Sequence, residues 1–175
     1  MKIIKFPFSQ QTYNWDCGAD AAYSVLVYYG VNVRKHEIMK LAGTTRAGTP
    51  VKGIKRVMRR YGLRCQSGQM TIEDIKKFID QKIPVIVALQ AWTTKENVDW
   101  ANDWDNGHYA VIIGYDKSRF YFIDPQSVYR TFLTYKEFTT RWHDVGSDRK
   151  KYINFGIVAF GKDPNYDYKK IIHMN

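Results

Sequence analysis

Cysteine is scarce in this 175-residue chain, which has only Cys17 and Cys65. Two cysteines cannot build the multi-bridge framework of a small secreted domain. The fold must rest on an apolar core, and a chain of this length can bury one as a single domain spanning residues 1–175. Long apolar runs are missing too. The longest, such as Ile83 to Leu89, is strand-length and far short of a bilayer span. The opening MKIIKFPFSQQ lacks the apolar stretch of a signal peptide. These absences predict a cytoplasmic protein without a membrane span, its thiols free. His36, His143 and His173 stand apart from any second ligand, so neither a metal nor another cofactor is expected. No glycine-rich phosphate loop, internal repeat or low-complexity tract is present. Acidic residues are outnumbered 17 to 27, for a formal net charge of +10. That balance disfavours a strongly cationic substrate. Aromatic and basic residues do not interleave as in RNA-binding motifs, so nucleic acid is not the expected partner.

What is present is a helix-rich first half and a strand-rich second half. Apolar spacing predicts helices over Cys17 to Tyr29 (capped by Asn14 or Asp16), Lys35 to Ala42, Val51 to Tyr61, Ile72 to Asp80 and Thr134 to Trp142. Thr71 and Asp74 read as a capping box. Strands are predicted over Leu63 to Cys65, Val85 to Gln90, His108 to Tyr115, Arg119 to Ile123 and Asn154 to Phe160, with Asp116-Lys117-Ser118 as a hairpin turn. Helices followed by antiparallel strands argue for an α+β fold.

Three places carry chemistry. Cys17 precedes a buried helix, where unpaired N–H groups and the dipole favour a thiolate. Gln11, six residues earlier, offers a side-chain amide to an oxyanion. His108 opens a strongly apolar strand, and Asp124 ends the next one. Both are roughly equidistant from the turn at Lys117, so they meet at one end of the sheet. A carboxylate there holds the imidazole in one tautomer and makes it a better base. Taken singly, each residue also reads as structural. Cys65 reads as structural.

Together, Gln11-x4-Asp16-Cys17-Gly18, Tyr29-Gly30, His108-Tyr109 through Val111 to Gly114, and Asp124-Pro125 resemble the papain-like cysteine peptidases. Within them they resemble the C39 family, which trims double-glycine leader peptides. The resemblance implies a papain-like fold, its catalytic helix packed on an antiparallel sheet. It implies Cys17 as nucleophile, His108 as base, Asp124 as its orienter and Gln11 in the oxyanion hole. A peptide or protein would be the substrate, with a double-glycine-type site as one candidate, and a separate transporter partner is left open. A thiol acyltransferase or amidase on the same fold, or a non-catalytic peptide-binding module, stays open on the sequence. The loop from Trp92 to Asn106 runs into His108, so Trp100 or Trp104 is expected to wall the substrate groove.

Overall fold

The computed structural model describes residues 1–174. The chain opens on a two-residue strand, β1 (Lys2–Ile3), and crosses a loop to helix α1 (Cys17–Tyr28). Two amphipathic helices follow, α2 (Lys35–Ala42) and α3 (Val51–Arg60). Strand β2 (Arg64–Gln69) leads to α4 (Ile72–Asp80), which begins at the predicted capping box: Thr71 Oγ1 accepts from Asp74 N–H, and the Asp74 carboxylate accepts from Thr71 N–H. Strand β3 (Val85–Gln90) is buried throughout, as its unbroken apolar run requires. After a long loop come β4 (Gly107–Tyr115), β5 (Arg119–Ile123), β6 (Arg130–Thr134) and α5 (Tyr135–Arg141). A small ribbon, β7 (His143–Val145) with β8 (Lys151–Ile153), precedes β9 (Phe155–Phe160).

The main sheet is antiparallel in every pairing, in the order β2-β9-β3-β4-β5-β6. β1 joins β4 where β3 has ended: Val85 pairs with Ile112, and Ile3 with Gly114. The α+β expectation therefore holds. Helix α1 is the central helix, with ten of its twelve residues buried. It packs on β4 and on α2 and α3. On the other face Phe138 of α5 meets Phe120 and Phe122 of β5, with ring centroids 5.1 and 6.0 Å apart.

The β4–β5 hairpin carries a detail that positions the site. Near the turn Tyr115 pairs with Phe120 and Gly114 with Tyr121, but beyond it Ile112 pairs with Phe122. Ile113 is therefore an extra residue, a β-bulge. Its carbonyl is not wasted, because Ile4 N–H donates to it at 2.8 Å. Side chains alternate between the faces of a sheet, so one extra residue flips the relation between the two strands. Continuing the shifted register puts Asp124 on the same face as His108; without the bulge they would point to opposite faces.

Candidate active site

Cys17 begins α1, and what fixes it is the loop before it. Asp16 is fully buried. Its carboxylate turns back rather than capping the helix: Oδ2 accepts from Thr12 N–H at 3.2 Å and Oδ1 from Tyr13 N–H at 3.0 Å. Gly18 then lets the first turn approach β4 closely. A Cβ there would lie 2.8 Å from Thr49 Cβ and 2.9 Å from Tyr109 Cδ2. Cys17 is buried and free, as is the half-buried Cys65.

His108 Nε2 donates to Asp124 Oδ1 at 2.7 Å, and both side chains are buried. Asp124 Oδ1 also accepts from Gln126 N–H at 2.9 Å, and Oδ2 accepts from the Trp92 indole Nε1–H at 2.9 Å. Burial alone would drive the Asp124 carboxyl up, but the bond and charge of His108, with the Gln126 and Trp92 donors, outweigh it and hold it below its ordinary range. Burial likewise opposes a charged His108. The hydrogen bonds to Asp124 and to Cys17 outweigh it, so the imidazole is held well above its ordinary value. With Nε2 committed to Asp124, Nδ1 is the nitrogen left for Cys17. The arrangement can deliver a thiol, a base beside it and a carboxylate that orients the base.

Gln11 sits against the Pro125–Gln126 turn that follows Asp124. Its backbone N–H donates to Pro125 O at 2.9 Å, and its Nε2 to Gln126 Oε1 at 3.0 Å. Its Oε1 is buried without a partner. It lines a shallow pocket with Thr12, Tyr13 and Pro125, not the cavity that holds Cys17.

That cavity, of about 260 Å³, is lined by Cys17 and His108, by Trp15 and Thr49, and by the Gly107, Tyr109 and Asp144 side of the sheet. Of the two expected groove tryptophans, Trp104 lines it and packs tilted against His143, ring centroids 4.5 Å apart. Trp100 does not line it; its ring lies 4.0 Å from the Arg141 guanidinium, over α5. Sequence reasoning passed over two neighbours. Trp92, half exposed and at a φ of 58°, holds Asp124 from outside. A bulky residue in the left-handed region is an outlier that only a defined local role sustains. Asp144 is the other. Burial pushes its carboxyl up to about 7, against bonds from Val145 N–H and Gln90. A signal for Trp92 existed in its position just past β3, but only the β3–β4 pairing of Leu89 with His108 brings it near the site.

Among the described residues no group of three or more histidine, cysteine, aspartate and glutamate side chains could hold a metal ion. No helix of the described residues is long and apolar enough to cross a membrane.

The architecture has solved counterparts. A double glycine motif protease from an AMS/PCAT transporter, solved with its leader peptide, superposes with a TM-score of 0.68 at 20% identity, over 90% of this chain and 93% of that one. A C39-like peptidase from Bacillus anthracis gives 0.68 at 18% identity, over 94% and 100%. The peptidase domain of Streptococcus ComA gives 0.66 at 21% identity, over 90% and 96%. In sequence, an uncharacterized protein of Methanothermobacter thermautotrophicus is 27% identical over 66% of this chain and 68% of its own length. A lactococcin transport/processing ATP-binding protein LcnC-like of Lactococcus lactis is 28% identical over 83% of this chain but only 19% of its own length. The family profile described as the peptidase C39 family matches residues 5–146. With the papain-like fold and that match over most of its length, the chain belongs to the peptidase C39 family.

Proposed function

We propose that the chain hydrolyses a peptide bond with Cys17 as nucleophile. The reading rests above all on one observation: buried His108 bonds Asp124 at 2.7 Å and shares the lining of one cavity with Cys17. In the proposed reaction the Cys17 thiolate attacks the carbonyl carbon, and the imidazolium of His108 stands beside it. The oxyanion is held by the Cys17 backbone N–H, unpaired at the helix start, and by the second Nε2–H of Gln11, the one Gln126 leaves free. His108 then protonates the leaving amine, and the C–N bond breaks to leave a thioester. Water, deprotonated by His108, resolves it. Asp124 keeps the imidazole turned so that Nδ1 faces the sulfur.

The substrate is a peptide or protein. A double-glycine-type bond, as in the name of the AMS/PCAT neighbour, is one to test, and a transporter is a candidate partner because the lactococcal relative is one. The experiment is a peptide-aldehyde library followed by intact-mass and peptide mapping. A reversible adduct on Cys17, absent in Cys17→Ala, is the expected result. Adducts confined to Cys65, or none, would overturn the proposal.

A further inference from the structure

The cavity beside Cys17 holds more polar chemistry than hydrolysis uses. Its wall contains Asp144, whose Oδ1 accepts from Gln90 Nε2 at 3.1 Å and from Val145 N–H at 2.7 Å. Its Oδ2 takes no hydrogen bond from the described residues. The carboxylate presses on the backbone before His108: a Cβ on Gly107 would lie 2.2 Å from Asp144 Oδ1. It is thus next to the catalytic histidine but not in contact with Asp124's side of it. Among the described residues no lysine or arginine forms an ion pair with Asp144. Two hydroxyls of the same lining, Tyr109 Oη and Ser147 Oγ, are buried and have no partner; Tyr109 is only 6% exposed.

The one cation near this buried carboxylate is His108, which is already bonded to Asp124; with Oδ2 unbonded beside two unpartnered hydroxyls, Asp144 is costly to bury unless something arrives to pair with it. Glycine at the scissile bond would bring nothing, and it would leave most of the roughly 260 Å³ unfilled. Resting on the peptidase reading above, we infer that this cavity is a specificity subsite that takes one basic side chain, lysine or arginine, of a peptide substrate, with Asp144 as its ion-pair partner. The ammonium or guanidinium donates to Asp144 Oδ2, and Ser147 Oγ, closed off as it stands, joins as a further acceptor by turning toward the cavity. The apolar stem lies along Tyr109 and Val145. The cations at the mouth do not compete for Asp144. Arg46 and Lys151 are exposed, and Lys151 Nζ sits 4.6 Å over the Trp104 ring. The net charge of +10 disfavours a polybasic substrate, which is why one basic residue is assigned and not a run.

The test uses two readouts. The first is kcat/KM on fluorogenic peptides carrying lysine, arginine, norleucine or glycine at each position around the cleaved bond. The expected result is a preference for lysine or arginine over norleucine and glycine, at one position, of about tenfold or more. In Asp144→Asn that preference falls to about twofold or less. The second readout needs no turnover: protection of Cys17 from iodoacetamide by N-acetyl-lysine methylamide, compared with its norleucine analogue. Selective protection lost in Asp144→Asn supports the subsite even if no peptide is cleaved, and that combination would count against the peptidase reading alone. Cleavage with glycine preferred, or protection equal for the two analogues, overturns the subsite and spares the peptidase. Should Asp144→Asn fail to fold, Ser147→Ala serves: it is expected to lower the lysine preference, and an unchanged preference overturns the proposal.

Discussion

Trp92 donates its indole N–H to Asp124 Oδ2 at 2.9 Å, on the carboxylate whose Oδ1 accepts from His108 at 2.7 Å. The two oxygens are thus divided between the histidine and a tryptophan held at a φ of 58°. Trp92→Phe removes one donor from the carboxylate and keeps the aromatic bulk. Its pKa should rise and its grip on His108 weaken. Loss of such a supporting bond costs about 10- to 100-fold in the metal sites where it is best documented. Here a loss of about tenfold in kcat is expected. A rise in the acid limb of the pH–rate profile should accompany it, with KM little changed. Lower activity with an unmoved acid limb would mean Trp92 acts only by packing.

The His108–Asp124 pair makes stability depend on pH with a defined sign. The folded-state pKa of His108 is raised, so its contribution is full below the unfolded value and is lost as pH rises through the folded one. That of Asp124 is lowered, so its contribution is present above the unfolded value and is lost as pH falls through the folded one. The pair therefore stabilises most between about pH 4 and pH 6.5, the two unfolded values. Urea titrations of wild type and His108→Ala should show their largest difference in that window and a shrinking one toward alkaline pH. A difference that grows above neutral pH would refute the protonated pair.

Asp144 predicts a slope opposite to that of Asp124. Burial raises its carboxyl to about 7, so the folded state holds a proton that the unfolded chain gives up near pH 4. Its contribution falls as pH rises between those values. Asp144→Asn keeps an oxygen to accept from Gln90 and Val145 and cannot ionise. It should melt higher than wild type at pH 8, by a margin that narrows on going to about pH 4. Equal margins at both pH values would show that Asp144 is not destabilised by its charge.

Gln11 is joined to Gln126 by a single side-chain bond of 3.0 Å. If Gln11 stabilises the oxyanion, Gln11→Ala should lower kcat about 100- to 1,000-fold while Cys17 alkylation stays near the wild-type rate. Gln126→Ala should give a smaller loss of the same kind, through a less fixed Gln11. Alkylation slowed as much by Gln11→Ala as by His108→Ala would place Gln11 on the thiolate instead.

Much of this architecture was legible because local signals were strong. The capping box at Thr71, the unbroken apolar run of β3 and the buried face of α1 each name an element on their own. The three strands β6, β7 and β8 were not legible. β6 reads as a polar stretch because one face is exposed, and the other two are three residues long. The meeting of His108 with Asp124 followed from symmetry about Lys117, but the bulge at Ile113 that aligns their faces has no sequence mark. Trp92 and Asp144 were missed for a shared reason: each reaches the site across the sheet order β3-β4 or from the ribbon β7, and long-range pairing leaves no periodicity to read. Trp100 and Trp104 stand four positions apart in one loop, and only the folded loop shows that Trp104 lines the cavity while Trp100 turns to Arg141.

The central claim is that Cys17 and His108 act as one reactive unit. It is tested most directly by mass-spectrometric rates of iodoacetamide labelling at Cys17 and Cys65, measured at pH 6 in wild type and in His108→Ala. Burial pushes the Cys65 thiol up, so that residue is an internal reference of low reactivity. The account predicts that Cys17 labels faster than Cys65 in wild type and slows by about tenfold or more in His108→Ala. Equal labelling of the two cysteines, or a Cys17 rate indifferent to His108, would contradict it.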